Sequence, residues 1–123
     1  MIGTRFAEAL AARDADTLAE VLHPEVDFRG VTPSRAWEAQ DRDGALEILL
    51  GSWIDESDRI DDVSVEDGTF MDRERLRYSM QGSNEDGPFA VEQQAYLTER
   101  DGKIGWIRVV CSGFRPLAQT GSE

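Results

Sequence analysis

The chain has 123 residues, 25 acidic against 13 basic, and a formal net charge of −12. This length suits one domain with its own core, and the acidic excess repels phosphate backbones, which argues against nucleic acid and anionic membrane as partners. A single cysteine and a single histidine leave no intrachain disulfide and argue against a dedicated His/Cys metal site, so neither metal nor cofactor is expected.

No apolar run approaches the ~18 residues of a membrane span. The start, MIGTRFAEALAARDA, lacks the apolar centre of a secretory signal, so a cytoplasmic protein is the expectation. Phe6, Ala7, Leu10 and Ala11 recur at helical spacing and predict a helix over residues 3–13 with Thr4 as its N-cap. Asp14 opens a second, shorter helix with Leu18, Val21 and Leu22 on one face. His23-Pro24 ends it, because the residue before proline is driven out of the helical region. Residues 26–31 read as a short strand stopped by Pro33, and residues 34–43 receive no assignment. A third helix follows, with Leu46, Leu49, Leu50 and Trp53 on one side.

The second half is rich in strands. Residues 60–65 form one, closed by a turn at Glu66-Asp67-Gly68. Residues 74–81 form another, in which Leu76, Tyr78 and Met80 alternate with Arg75, Arg77 and Ser79. The strongest local signal is the pair of strand-like runs flanking Asp101-Gly102, the favoured dipeptide of a two-residue type I′ hairpin turn. With Arg100 paired to Lys103, Tyr96 lies opposite Ile107, Gln94 opposite Val109 and Glu92 opposite Cys111. The other face then pairs Leu97 with Trp106, Ala95 with Arg108, Gln93 with Val110 and Phe89 with Phe114. Apolar groups on both faces require cover on both. The closing LAQTGSE is expected to fray, which leaves one domain over residues 1–116 and a disordered tail over 117–123.

The order α-α-β-α-β-β-β-β is that of an α+β fold. Three helices in the N-terminal half lie across a curved mixed or antiparallel sheet wrapped into a cone, whose open mouth is a natural small-molecule pocket. The pattern FAEALAARDADTLAEVLHPEVDFRG, an apolar third helix, then VEQQAYLTERDGKIGWIRVVCSGFRP resembles the SnoaL-like branch of the nuclear transport factor 2-like superfamily. The resemblance covers about residues 6–116, and the segments TPSRAWEA and VVCSGFRP are similar to those of bacterial SnoaL-like proteins with no assigned activity. Members of the superfamily include isomerases, polyketide cyclases, dehydratases, epoxide hydrolases and non-catalytic binding or assembly domains, so the fold leaves function open.

Set against the ketosteroid isomerases, Phe6 stands where that family has an oxyanion-donating tyrosine, Gly30 where it has the proton-abstracting aspartate, and Gln94 where it has a second oxyanion donor. That chemistry is not expected here. Epoxide hydrolase members resemble a relay built on Arg-x-Asp, and RLRYSMQ lacks the acid. Dehydratase members use pocket histidines, whereas His23 in His-Pro-Glu reads as a turn residue at a helix end.

Because the position of Gln94 points into the cavity in the family, the resemblance implies a lining of Glu92, Gln94, Tyr96, Ile107, Val109 and Cys111. Leu76, Tyr78 and Met80 continue that wall, and Phe6, Leu10, Phe28 and Trp53 close it from the helical side. Glu92 is the candidate catalytic acid or base, with its pKa raised by desolvation, and Gln94 the candidate oxyanion donor. The alternative for Glu92 is an ion pair with Arg75, Arg77 or Arg108. Tyr78 and Tyr96 either orient a ligand or simply pack. Cys111 has no histidine to activate it and reads as a small buried hydrophobe. Trp37 and Glu38 form a lid or anchor an irregular connection. Trp106 and Arg108 fall on the convex face, which in this superfamily often meets a second subunit, so a homodimer is expected. The expected function is binding of a small, largely apolar organic molecule, with or without cofactor-independent acid/base chemistry. The alternatives are a non-catalytic carrier and a protein-interaction module.

Overall fold

A computed structural model describes residues 1–117, so all but Leu117 of the expected frayed end lies outside the described residues. Helix α1 (Ile2–Ala11) and helix α2 (Ala15–Val21) are followed at once by strand β1 (Leu22–Thr32). Asp14 caps α2 as expected, its side chain accepting from the Thr17 N–H at 3.1 Å. Strand β2 (Arg35–Ala39) occupies much of the stretch left unassigned from sequence. Helix α3 (Arg42–Ile48) then runs into a wide π-helical turn, Leu49–Trp53. Four long strands complete the chain: β3 (Arg59–Phe70), β4 (Arg73–Asn84), β5 (Gly87–Arg100) and β6 (Lys103–Cys111), with a short β7 (Arg115–Pro116).

The architecture is α+β, with one more strand before α3 than the sequence reading had. The strands form one sheet in the order β2-β1-β6-β5-β4-β3, with β7 added beside β5. Among the described residues only β1 and β6 pair in parallel; the other ladders are antiparallel. Helix α1 packs on β3 and β4, and α3 on β1 and β2, so the sheet wraps the helices. Leu76, Tyr78 and Met80 of β4 are buried with Phe6, Leu10, Leu18 and Leu49 of the helical layer.

Strand β3 runs straight through Glu66-Asp67-Gly68, where sequence placed a turn. Gly68 pairs with Arg75, a Cβ there would meet nothing within 4 Å, and the reversal comes later, at Met71 with φ 54°. Thr4 is not an N-cap either. It lies within the first turn of α1, and its N–H and Oγ1 both donate to Asp67 Oδ2, at 3.0 and 2.8 Å. The Gly3 N–H donates to Glu74 Oε2 at 2.8 Å. Two sheet carboxylates therefore satisfy amides that every helix start leaves open. A Cβ on Gly3 would push the Glu74 carboxylate from this position.

The hairpin turn forms as expected, with Asp101 at φ 57° and Gly102 at φ 77°. Arg100 pairs with Lys103 and Glu99 with Ile104. Then the register changes: Thr98 pairs with Trp106, because Gly105 is an extra residue on β6. A Cβ on Gly105 would stand 2.6 Å from Arg100 Cβ, so only glycine fits the bulge. Beyond it Leu97 faces Ile107, Ala95 faces Val109 and Gln93 faces Cys111. This corrects the expected lining. Gln93, Ala95 and Leu97 point inward, whereas Glu92, Gln94 and Tyr96 point outward. The expected Phe89–Phe114 contact does form, as a stacked pair 4.3 Å apart.

The carboxylates under α1 carry a pH dependence. The Glu74 carboxyl, 9% exposed, is pushed up from 4.5 to about 7, first by burial and next by its hydrogen bond to Asp67. The Gly3 N–H and the Met1 amino group pull it back, and the Asp67 charge pushes it further up. When protonated, Glu74 can donate to Asp67, whose Oδ1 is buried and without a partner among the described residues. The folded state thus holds this proton more tightly than the unfolded chain. Its stabilisation is complete below 4.5 and is lost as pH rises through about 7. Urea unfolding should show about 1–2 kcal/mol of stability lost between roughly pH 5 and 8, allowing for solvent screening, with the slope flattened in Glu74→Gln. Equal slopes in the two proteins would rule out the shared proton.

Candidate functional site

The β1–β2 reversal, the segment leading into β3 and the exit of β6 converge at one end of the sheet. A cleft of about 570 Å³ opens there, within the ordinary range for small-ligand sites. Gln93, Cys111 and Trp53 are its buried floor, and Trp37 and Phe114 its half-buried walls. Asp55, Asp58, Asn84 and Arg115 stand around the opening.

Trp53 owes its position to the wide turn, in which the Ile54 N–H reaches back to the Leu49 carbonyl at 2.9 Å. An added residue per turn rotates the side chains that follow. Arg13, at φ 52° beyond α1, fastens this turn by donating to the Leu50 and Ile54 carbonyls at 2.8 and 2.9 Å. The Trp53 ring packs 5.5 Å from Phe28 and meets Trp37 edge-on at 6.4 Å. It also lies flush on Gly30, where a Cβ would approach Cη2 to 2.5 Å. The place at which the isomerase comparison puts a proton-abstracting acid is therefore taken by an indole. Trp37 is anchored from β2: its indole N–H donates to Thr32 Oγ1 at 3.0 Å, and the Arg35 guanidinium lies 3.7 Å over its ring.

Tyr78 and Gln93 are register partners on β4 and β5, and the Tyr78 hydroxyl donates to Gln93 Oε1. Burial, and after it the charge of a Cys111 thiolate, raises the Tyr78 pKa well above the usual phenol range, so the hydroxyl keeps its proton and acts as donor. With Oε1 engaged, Gln93 presents its amide N–H₂ group to the cleft. Trp53 Nε1 is buried with no hydrogen-bond partner among the described residues. At the opening, Asp55 Oδ1 accepts from the Ser57 Oγ at 2.6 Å and the Ser57 N–H at 2.8 Å, which holds its carboxyl below the usual range. Asp58 accepts from the Asp55 N–H at 3.1 Å and Asn84 Nδ2 at 3.0 Å.

Of the residues expected to line the pocket, Trp53 and Cys111 border the cleft. Phe6, Phe28, Tyr78, Met80, Ile107 and Val109 are buried in the packing and do not line it. Glu92, Gln94 and Tyr96 are on the outer face. Glu92 forms none of the ion pairs among the described residues, since Arg77 pairs with Glu66 at 2.6 Å and Arg108 with Asp27 at 3.2 Å. Trp106 and Arg108 also face outward, the guanidinium 4.5 Å over the indole. His23 is buried inside β1 rather than at a turn, accepting from the Glu25 N–H at 3.0 Å and facing Asp101 at 3.4 Å. Gln93, Phe114, Asp55 and Asp58 were missed. Gly105 was the available signal for Gln93, because an isolated glycine in a strand pattern marks a bulge.

Residues 4–106 match the SnoaL-like domain. The chain belongs to the SnoaL-like domain family. This SnoaL-like protein also superposes on solved structures of the same fold. One, from Rhodopseudomonas palustris and provisionally named an isomerase, is 19% identical with a TM-score of 0.73, covering 90% of this chain and 89% of its own. A second, with a ketosteroid isomerase-like fold from Catenulispora acidiphila in complex with trimethylamine, is 19% identical with a TM-score of 0.64, covering 98% and 92%. A third, an LEH-like epoxide hydrolase from M. tuberculosis, is 12% identical with a TM-score of 0.68, covering 90% and 80%. At these identities the likeness establishes the fold. No curated protein matches. Among the described residues no helix is long and apolar enough to cross a membrane.

Two substitutions test how the floor is held. Gly30→Ala should displace the Trp53 ring and cost about 1–3 kcal/mol by overpacking. Tyr78→Phe should cost about 1–3 kcal/mol by leaving Gln93 Oε1 without its donor. Denaturant unfolding and tryptophan emission measure both; wild-type values in either variant would contradict this packing.

Proposed function

We propose that this SnoaL-like protein binds a small, largely apolar organic molecule in the cleft, gripping its body between Trp37, Trp53 and Phe114. The observation that carries the reading is the cleft itself, walled by Trp37 and Phe114 and floored by Trp53, Gln93 and Cys111. The C. acidiphila relative, solved with trimethylamine, shows that one protein of this fold holds a small organic molecule. Binding is better supported than proton abstraction. The titratable group at the floor is Cys111, Tyr78 beneath it is held protonated, and the carboxylates sit at the opening. In ¹⁵N-labelled protein, ethylbenzene should shift the Trp53 indole resonance, and Cys111→Leu, which fills the floor, should weaken binding at least about tenfold by overpacking the site. Unchanged indole resonances, or equal binding in the variant, would count against the cleft.

We also propose that the outer sheet face pairs with a second copy. Val31 and Val110 are register partners left 52% and 62% exposed, on the face that carries Trp106 and Arg108. Apolar side chains in a row on an outer face mark a contact surface. Light scattering at micromolar concentration should give twice the chain mass. A monomeric mass would end this part of the proposal.

A further inference from the structure

We infer that the molecule held in the cleft carries an alkylated ammonium group, seated against the aromatic walls with the Asp55 and Asp58 carboxylates supplying the opposite charge. This deepens the reading of the cleft given above and rests on it. Aromatic rings and carboxylates border the same opening: Trp37, Trp53 and Phe114 on the one hand, Asp55 and Asp58 on the other. The face of an aromatic ring carries negative potential and attracts a cation, most strongly where the cation has lost its water. Trp37 already displays that attraction, since the Arg35 guanidinium lies 3.7 Å over its ring. Arg35 does not border the cleft. With Trp37 it lines a separate hollow of about 310 Å³ beside α3, where Glu38 and Glu47 offset its charge, so the indole is a partition between the two spaces. Phe114 is backed in a similar way by Phe89, which stacks on it, is buried and does not border the cleft. The planes of Trp37 and Trp53 stand 89° apart, which makes a corner rather than a slot. A compact, rounded head group fills a corner, whereas a slot suits a flat ring.

The sign of the charge follows from what stands at the opening. Neither Asp55 nor Asp58 forms an ion pair among the described residues. The Ser57 hydroxyl, and after it the Ser57 N–H, holds the Asp55 carboxyl below the usual range, so it is ionised near neutrality. Arg13 adds to that effect, but its guanidinium is engaged by the Leu50 and Ile54 carbonyls. Arg115 is the cation among the bordering residues, and it is exposed. One guanidinium against two carboxylates leaves the opening negative, in a chain whose net charge of −12 draws cations towards it. An anionic ligand would meet repulsion. A primary ammonium would bring three N–H donors, yet Asp55 Oδ1 and both Asp58 oxygens already accept, from Ser57, Asn84 and the Asp55 N–H. An alkylated ammonium needs no such acceptors, touches the rings through its alkyl groups and uses the carboxylates only for their charge.

Three probes separate these cases: benzyltrimethylammonium, phenylacetate, and neopentylbenzene, which has the shape of the first with carbon in place of nitrogen. They would be titrated into ¹⁵N-labelled protein while the Trp37 and Trp53 indole resonances are followed. Benzyltrimethylammonium should bind at least about fivefold more tightly than neopentylbenzene, as expected for a cation held against aromatic rings. Raising sodium chloride from about 20 to about 500 mM should shrink that advantage at least about twofold without weakening the hydrocarbon, because salt screens charges at an opening. Asp55→Asn/Asp58→Asn should remove most of the advantage while neopentylbenzene affinity is kept. Arg115→Gln, at an exposed position where folding is not at stake, should enlarge it about twofold or more by removing the competing cation. Equal affinity for cation and hydrocarbon, or tighter binding of phenylacetate, would overturn the ammonium assignment and leave the cleft standing. So would an advantage that neither salt nor Arg115→Gln alters. If none of the three perturbs an indole resonance of the cleft, both the assignment and the binding reading fail.

Discussion

One glycine decides what this protein holds in its interior. Gly105 adds a residue to β6 just past the hairpin turn, and the ladder with β5 moves by one position. Side chains alternate along a strand with a period of two, so a slip of one exchanges the faces. Gln93 comes inside and meets Tyr78 and Cys111, while Glu92, Gln94 and Tyr96 go out. In a regular hairpin Gln93 would share a face with Val110, leaving Val109 and Cys111 on the other.

The rest of the cleft follows from backbone devices of similar economy. A wide turn ends α3 and brings Trp53 round to the inner side, Gly30 leaves the ring a flat strand to lie on, and Arg13 ties the turn back to the corner after α1. These contacts fill the narrower part of the cone and leave a shallow, aromatic site at its mouth. The opposite end is closed differently, by carboxylates that cap α1 and by His23 facing the hairpin turn.

Much of this was legible in the sequence because it rests on local signals. The Asp14 cap, the Asp101-Gly102 turn and the alternation of Leu76, Tyr78 and Met80 each follow from a few adjacent residues. So does the segment order that identifies the family. What escaped depends on residues far apart. The β2 stretch RAWEA is short and carries no clear alternation, so its strand form comes from pairing with β1. Glu66-Asp67-Gly68 has turn chemistry but is overridden by a continuous ladder with β4. Thr4 resembles a cap until Asp67, 63 residues away, takes both its donors. The register error was of another kind: the turn was right and the glycine was visible, but the strand was assumed to be regular.

The measurement that bears most directly on this account is the cross-strand pattern of backbone nuclear Overhauser contacts between β5 and β6. The bulged ladder requires proximities of Gln93 with Cys111, Ala95 with Val109 and Leu97 with Ile107. Contacts of Glu92 with Cys111, Gln94 with Val109 and Tyr96 with Ile107 would restore the regular hairpin, put Gln93 and Cys111 on opposite faces, and contradict the account at its root.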